Sequence, residues 1–366
     1  MRPDKELIYQ ISLKLVPGIG DVLMKNLIAY CGSAEAVFQE KQQKLLLIPG
    51  IGEVLAKSIY QFKNFERAEK ELEFIESNNI QTHFYLNENY PYRLRELADA
   101  PCLLFSKGNL NVNPTRMVGI VGTRKASEYG KVFTQNLVEE LKNHDVQIVS
   151  GLAIGIDSIA HKSCIENKIP NIGVLAHGLD TLYPSQHLAL AKKMLECGGL
   201  LSEYPSKTQP EKENFPKRNR IVAGLCDVLV VVETAIKGGA RITAELANSY
   251  NREVMAVPGR TSDYYSKGCN YLIQDHKAHM LVEPNDLIEL MGWTVKNNRN
   301  NPIDLFQNLP KEEKEIAQFI RGKVKANLDE IAFELNLDPG HLSLKLLELE
   351  FMGILRSLPG KTFELN

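Results

Sequence analysis

The sequence has no paired-cysteine motif, no long apolar run and no signal peptide, and each shortage excludes a class of protein. Its cysteines, at positions 31, 102, 164, 197, 226 and 269, form no CxxC pair. This spacing argues against disulfides and against a zinc site, and favours reduced thiols. No apolar run reaches the length needed to span a bilayer, and residues 1–15 include Asp4 and Glu6 where a signal peptide is apolar. We therefore expect a cytoplasmic protein with no metal and no membrane partner.

The sequence also lacks the glycine signatures of common cofactor sites. No G-x-x-x-x-G-K-[ST] run occurs, and the turn after the first predicted β-strand of the central domain has no G-x-G-x-x-G. The Gly-Ile-Gly turns at 18–20 and 50–52 stand between helical patterns. We therefore predict that the chain uses no NAD, FAD or ATP cofactor.

Excess positive charge is missing as well. The 366 residues carry 43 Lys and Arg against 45 Asp and Glu, a net charge of −2. Proteins that coat DNA with a whole basic face usually have a basic balance. Any nucleic-acid binding must therefore use a local groove. The length suggests about two or three domains.

An internal repeat defines the first predicted domain, residues 1–80. LKLVPGIGDVLMKNLIAY from Leu13 recurs as LLLIPGIGEVLAKSIYQF from Leu45. Each copy predicts two helices joined by a Pro-Gly-Ile-Gly hairpin and resembles a helix-hairpin-helix. Such hairpins can dock phosphate on free backbone amides, or they can simply pack two helices. Lys25 and Lys57 lie near the hairpins, and both interpretations stay open.

The second predicted domain, residues 81–293, alternates strand and helix patterns. Its short, nearly continuous apolar runs predict strands at 117–121, 146–150, 171–176, 199–203, 227–232, 253–257 and 279–282. Continuous apolar strands are buried on both faces, which indicates a parallel sheet covered by helices. The fold class is therefore α/β, with an extended Rossmann-like, doubly wound sheet.

A polar linker, 294–302, separates a third predicted domain at 303–366. Three helical patterns are followed by a hairpin around Pro359 and Gly360, the order typical of a winged helix. The third helix carries Glu348 and Glu350, whereas a major-groove reader favours Arg, Asn or Gln. We favour a protein-contact or regulatory role for this domain over DNA reading.

Residues that follow the strands are the candidate ligand contacts, because doubly wound sheets bind ligands at the carboxyl ends of their strands. These turns supply glycine amides at helix starts, or cations, which together suit anions. The stretch from Lys207 to Arg220, interpreted as a loop that leads into a helix, has five cations against two acids. Beside these cations, Phe215 could stack on a base or pack in the core.

Asp157 and His161 stand four residues apart on one predicted helix. The pair could act in acid–base catalysis. We favour the alternative in which Asp157 accepts hydrogen bonds from first-turn amides, while His161 packs or holds Asp157. We predict no catalytic residues.

Seven ordered blocks resemble the DNA-processing protein A (DprA/Smf) family. They are residues 121–124, 150–161, 215–221, 231–234, 238–244, 258–259 and 268–273. Position 123 is Thr where the family often has Ser, and Gly238-Gly239-Ala240 stands where Ser-Gly-Ser is frequent. Both changes keep a hydroxyl or a small residue.

The resemblance implies a protein that binds single-stranded DNA, protects incoming strands during natural transformation and loads the RecA recombinase. It marks nine residues for phosphate contact: Gly122, Thr123, Arg124, Ser150, Gly151, Lys217, Arg218, Asn219 and Arg220. The candidate DNA-binding set also includes Gly155, Asp157, His161, Phe215, Gly238 and Gly239, which belong to the same matching blocks.

The resemblance also implies a homodimer. Residues 271–282 supply five apolar candidates for the interface: Tyr271, Leu272, Ile273, Met280 and Leu281. A two-fold interface needs only those that do not face the core. The alternative is that all five are core residues.

An enzyme is the second candidate function. Phosphoribohydrolases of the Lonely-guy type carry P-G-G-x-G-T-x-x-E, and this chain has Gly238 to Glu245 in the corresponding place. The paired glycines and the Glu keep their spacing. However, Thr243 is displaced by one position and Arg241 replaces the inner glycine, so we rank nucleotide hydrolysis well behind DNA binding.

Overall fold

The computed structural model describes residues 5–293, 309–323, 325–358 and 360–365. The described residues up to 293 form one compact unit, and those from 309 onward form a second. The predicted linker, 294–302, lies outside the described residues, as does Pro359 of the predicted hairpin. Among the described residues, no helix is both long enough and apolar enough to cross a membrane.

Six helices precede the sheet. They are α1 (Lys5–Leu15), α2 (Asp21–Cys31), α3 (Ala34–Gln39), α4 (Gln42–Leu45), α5 (Glu53–Tyr60) and α6 (Phe65–Ser77). Helices α2 and α5 begin directly after the two repeated hairpins, where Gly18 and Gly50 share a φ of +84°. Lys25 donates to the carbonyls of Leu97 and Ala98, at 3.1 and 3.2 Å, and so helps to fasten the first hairpin unit.

The N-terminal helices and the first two strands share one apolar core, which includes Met24, Leu27, Phe84 and Phe105. Residues 5–80 therefore pack as part of the same compact unit as the sheet. The helix-hairpin-helix assignment remains a prediction.

A nine-stranded sheet organises this unit. Its strands are β1 (Gln81–Phe84), β2 (Leu103–Gly108), β3 (Arg116–Val121), β4 (Val146–Ser150), β5 (Asn171–Leu175), β6 (Gly198–Ser202), β7 (Val228–Val231), β8 (Glu253–Ala256) and β9 (His279–Met280). The spatial order is β1-β2-β6-β5-β4-β3-β7-β8-β9. All seven predicted strands are present and pair in parallel, within one or two residues of the predicted bounds at most ends.

The sheet is mixed, because two strands that were not predicted add antiparallel pairs to the predicted parallel ones. Strands β1 and β2 pair with each other in antiparallel fashion, and β2 pairs antiparallel with β6. Strand β1 does not stand out as an apolar run in the sequence, because its buried residue His83 is polar. Its ring nitrogens contact the Asn89 carbonyl and the Ser106 hydroxyl, both at 2.8 Å, and these hydrogen bonds offset the cost of burial.

Helices cover both faces of the sheet. They are α7 (Tyr92–Arg95), α8 (Glu128–Leu141), α9 (Ile156–Asn167), α10 (Leu188–Met194), α11 (Asn214–Leu225), α12 (Gly239–Ser249), α13 (Lys267–Gln274) and α14 (Pro284–Leu290). Along β7, Leu229 and Val231 join one core cluster while Val228 and Val230 join the other. Since side chains alternate along a strand, the sheet is buried on both faces, as predicted.

Residues 215–220 are helical, which corrects their interpretation as a loop. Phe215 to Arg220 lie in the first turns of α11. Pro216 suggested a loop, but proline fits the first turn of a helix, where its missing N–H would have no intrahelical partner. The helix therefore begins earlier than the sequence pattern indicated.

The described residues of the second unit form three helices and a small sheet. Its elements are α15 (Lys311–Lys323), β10 (Lys325–Asn327), α16 (Leu328–Glu334), α17 (Pro339–Phe351), β11 (Leu355–Leu358) and β12 (Thr362–Leu365). The strands pair antiparallel in the order β10-β12-β11. The helices were predicted and β10 was not. Assignment of this unit to the winged-helix class remains a prediction.

Candidate nucleic-acid interface

A cleft of about 370 Å³ opens at the carboxyl edge of the sheet. It lies where the strand order reverses, with β4 on one side of β3 and β7 on the other, the usual ligand position in doubly wound sheets. Ten predicted residues line it: Gly122, Thr123, Arg124, Gly151, Asp157, Phe215, Arg218, Asn219, Gly238 and Gly239.

Gly155 supports this cleft without lining it. It precedes α9 with a φ of +90°, a conformation that side-chain-bearing residues rarely adopt. A Cβ there would collide with the Thr123 carbonyl oxygen. That carbonyl also accepts a hydrogen bond from the Ile156 amide, at 3.2 Å. Gly155 therefore lets the turn after β3 pack closely on the start of α9.

Asp157 stabilises the loop before its helix, which corrects the expected cap. One of its carboxylate oxygens accepts from the amides of Gly151 and Ala153, at 3.1 and 3.4 Å, and not from the first turn of α9. Burial raises the pKa of Asp157, although the nearby Arg218 and the two amides oppose that shift. The carboxylate thus uses its acceptor capacity to shape the floor of the cleft.

Arg218 is a buried structural cation. Its guanidinium donates to the carbonyls of Gly151 and Val174, and burial lowers its pKa. It reaches the cleft wall, but part of its donor capacity is already used. Contact of Arg218 with phosphate therefore stays a prediction, and the helical start of α11, which directs residue 218 toward the sheet, gives this arginine a structural role as well.

Lys217 and Arg220 lie outside the cleft and line a second cavity. Arg220 is ion-paired with Asp21 at 3.0 Å and with Glu203 at 2.5 Å. These carboxylates raise the pKa of Arg220 against the opposing effect of burial. Contact of Arg220 with phosphate therefore stays a prediction, and the ion pairs favour a structural role, since its charge is compensated within the protein. Lys217 is exposed.

His161 and Ser150 lie beneath the cleft. His161 is fully buried, and its Nδ1 contacts the Asn171 side-chain oxygen at 2.9 Å, so of its two expected roles it packs in the core and does not hold Asp157. Burial lowers the pKa of His161 to about 4. The Ser150 hydroxyl donates to the Ile120 carbonyl at 2.6 Å. Neither residue lines the cleft, so neither is placed for DNA contact.

The N-terminus of α12 provides uncapped amides. Gly238 precedes this helix without a side-chain cap, and its first turn has no acidic residue. First-turn amides have no intrahelical partners, so an anion can bind them. Glu245, which the hydrolase interpretation requires, is exposed and paired with Arg241 at 3.2 Å, and it does not line the cleft.

Arg124 and Phe215 meet at the mouth of the cleft. The guanidinium carbon of Arg124 lies 5.7 Å from the centre of the Phe215 ring. Tyr183 packs against the same ring at 5.8 Å, tilted by 65°, and is itself exposed. An exposed cation beside two aromatic rings offers both phosphate attraction and base stacking.

Glu233 holds the turn that carries Arg124. Its backbone carbonyl accepts from the Thr123 amide at 2.7 Å. Its carboxylate accepts from the Ser127 amide at 3.0 Å and from the Ser127 hydroxyl. Glu233 is buried, so it positions this turn without reaching the cleft.

A family model described as DNA recombination-mediator protein A matches residues 81–292. The chain belongs to this family. Protein Smf of Synechocystis sp. is 30% identical over 396 residues, covering 99% of this chain and 99% of its own length. DNA processing protein DprA of Bacillus subtilis is 43% identical over 189 residues, covering 51% of this chain and 64% of its own length.

Two solved DprA structures share the fold. The X-ray structure from Streptococcus pneumoniae matches with a TM-score of 0.68 at 33% identity, covering 77% of this chain and 97% of that one. DprA from Helicobacter pylori, described in terms of its single-stranded DNA binding mode, matches with a TM-score of 0.53 at 29% identity. It covers 59% of this chain and 97% of that one.

The family motifs explain why the sequence identified ten of the twenty residues that line the cleft. The ten that it missed include Thr234, Ala235, Ile242, Thr243 and Tyr265. Thr234 and Thr243 stand inside DprA-like blocks and could have been chosen. Tyr265 stands outside those blocks, and only the fold brings it to the cleft: its carbonyl accepts from the Thr234 amide at 2.7 Å.

The five candidate interface residues, which were chosen from the apolar stretch at 271–282, differ in their exposure. Leu272 is 1% exposed and Leu281 is 0% exposed, so naming these two as interface candidates was wrong; they are core residues. Ile273 is partly buried against the core. Tyr271 and Met280 are 45% and 54% exposed, and Met280 lies on β9, the edge strand of the sheet.

Proposed function

We propose that this chain binds single-stranded DNA in the cleft and acts without catalysing a reaction. The observation that carries the proposal is the combination at one edge of the sheet of exposed Arg124, the uncapped start of α12 and the Phe215 ring. Phosphates suit the cation and the amides. Bases suit the aromatic surface, which favours a single strand with unstacked bases.

The family relationship supports this proposal. The printed description of the Helicobacter pylori relative concerns single-stranded DNA binding, and the family model describes a recombination mediator. Few side chains that read base edges line the cleft, Asn219 being the main candidate. We therefore expect little sequence preference.

We further propose that the chain protects incoming strands during natural transformation and loads the RecA recombinase. We propose a homodimer formed through exposed Tyr271 and Met280, which would place two clefts on one strand at high effective concentration. For the second unit we propose a protein-contact role, because α17 carries Glu348 and Glu350 and few base-reading side chains.

A salt-dependent titration of the full chain with single-stranded and double-stranded DNA tests the binding proposal. We expect tighter binding of the single strand. Arg124→Ala should weaken binding and reduce the dependence of log K on log salt by about 1, since one phosphate contact is lost.

The matched control is Lys142→Ala, which removes one exposed positive charge just after α8. Its salt dependence should equal that of the unchanged protein. Preferential binding of the duplex, or equal effects of the two substitutions, would contradict the assignment of DNA to the cleft.

A further inference from the structure

A second cavity, of about 490 Å³, lies between the first N-terminal hairpin and helix α11. Its lining includes the start of α2, the segment that follows β6 and one side of α11. The polar members are Lys14, Asp21, Glu203, Tyr204, Lys217 and Arg220. All of these residues belong to the same compact unit.

Three buried polar atoms of this cavity make no well-aligned hydrogen bond to the described part of the chain: Glu203 Oε1, Tyr204 Oη and Arg220 Nε. Glu203 is only 4% exposed. Its other carboxylate oxygen is 2.5 Å from an Arg220 nitrogen. Burial, followed by the charge of Glu203 and helped by a contact of the hydroxyl with Glu203, raises the pKa of Tyr204, so the hydroxyl keeps its proton and can donate. Buried polar groups normally have partners, and this set calls for a ligand that both donates and accepts.

The charges of the cavity specify the ligand further. Lys14 is paired with Asp21 at 3.2 Å, and Arg220 is paired with Asp21 and Glu203. Three cations, counting Lys217, against two acids leave one positive charge. Lys217 is exposed, and no described carboxylate forms an ion pair with it. The cavity therefore suits a group with one negative charge and a hydrogen-bonding edge, as in a single nucleotide of a strand.

The position of α11 connects this cavity to the cleft. Phe215, Pro216, Arg218 and Asn219 line the cleft, while Lys217 lies among them in sequence and lines the cavity. A helix with its side chains is about 10–12 Å across. A strand that leaves the cleft can thus reach the cavity by crossing one helical turn.

We propose that this cavity is a second nucleotide subsite on the path of the bound strand. A base edge would contact Glu203 and Tyr204, and its phosphate would lie near Lys217. The subsite rests on the proposed function of the cleft. It would add the N-terminal helices to the DNA-binding surface through Lys14 and Asp21.

The test uses the full chain and the shortest oligo(dT) that saturates binding, extended at either end by deoxyadenosines or by abasic residues. At one end of the oligonucleotide only, extension with deoxyadenosines should raise the affinity more than extension with abasic residues does. Tyr204→Phe should reduce the ratio of the affinities for the two extended strands by about 2- to 10-fold, the range for one hydrogen bond. It should leave binding of the unextended oligonucleotide unchanged. The hydroxyl also contacts Glu203, so an unchanged melting temperature of Tyr204→Phe is required to show that the loss of preference comes from the ligand and not from this contact.

Lys217→Ala should weaken binding of both extended strands equally, because it removes a phosphate contact. Lys212→Ala removes an exposed charge from the preceding segment and should change neither. Equal affinity for the two extensions, or an unchanged preference in Tyr204→Phe, would show a cavity that holds only water and would overturn the subsite alone. Failure of the unextended oligonucleotide to bind would overturn the cleft and the subsite together.

Discussion

The Arg220→Ala variant tests whether Arg220 stabilises the fold or contacts DNA. The guanidinium is held by Asp21 at 3.0 Å and Glu203 at 2.5 Å, and it also donates to the Asp99 carbonyl. The side chains of the two acids are only 11% and 5% exposed. Removing the cation leaves Asp21 with Lys14 and leaves Glu203 without an ion-pair partner.

The cost of breaking a buried ion pair from one side is about 3–5 kcal/mol. For a unit of this size, about 2–4 °C are lost per kcal/mol, so the melting temperature should fall by roughly 6–20 °C. Adding Glu203→Gln should recover part of the loss, because one uncompensated charge is removed.

The assay pairs thermal unfolding with titration of the unextended oligo(dT) below the melting transition. Arg220→Ala should lower the melting temperature and keep the salt dependence of binding. Arg124→Ala should keep the melting temperature and reduce the salt dependence of binding, since the Arg124 side chain is exposed. An unchanged melting temperature together with a reduced salt dependence in Arg220→Ala would refute the reasoning and restore this arginine as a phosphate contact.

Three more predictions follow from the same structure. Gly155→Ala should destabilise the fold by about 1–3 kcal/mol and weaken DNA binding, because of its φ of +90° and the collision with Thr123; unchanged urea unfolding and affinity would contradict this. Folding lowers the pKa of His161 from 6.5 to about 4. Neutral His161 therefore contributes about 3 kcal/mol to the free energy of unfolding above pH 6.5, and this contribution is lost as the pH falls from 6.5 to about 4. The urea midpoint should therefore fall less between pH 7 and pH 4 in His161→Gln than in the unchanged protein, and equal falls would contradict the assignment. Met280→Glu should convert a dimer to a monomer by light scattering and weaken DNA binding, with Tyr271→Glu as a second variant; a monomeric variant with full affinity would show that the second cleft adds nothing.

Seven of the nine strands of the described sheet and half of the residues that line the cleft could be predicted from the sequence. Continuous apolar runs predicted seven strands because strands buried on both faces need apolar residues at every position. The carboxyl ends of parallel strands meet at one edge, so the turns at Gly122, Gly151 and Gly238 could be brought together without coordinates. Ten of the fifteen proposed DNA-binding residues line the observed cleft.

Only the folded structure shows whether each charged or apolar candidate is buried, paired or exposed. Arg218 and Arg220 are both cations near one helix start, yet one donates to buried carbonyls and the other joins Asp21, which is remote in sequence. Leu281 and Met280 are adjacent, yet Leu281, just after β9, packs in the core while Met280 on the edge strand is exposed. The charge and exposure of a side chain depend on partners that are distant along the chain, and a local sequence pattern does not identify those partners.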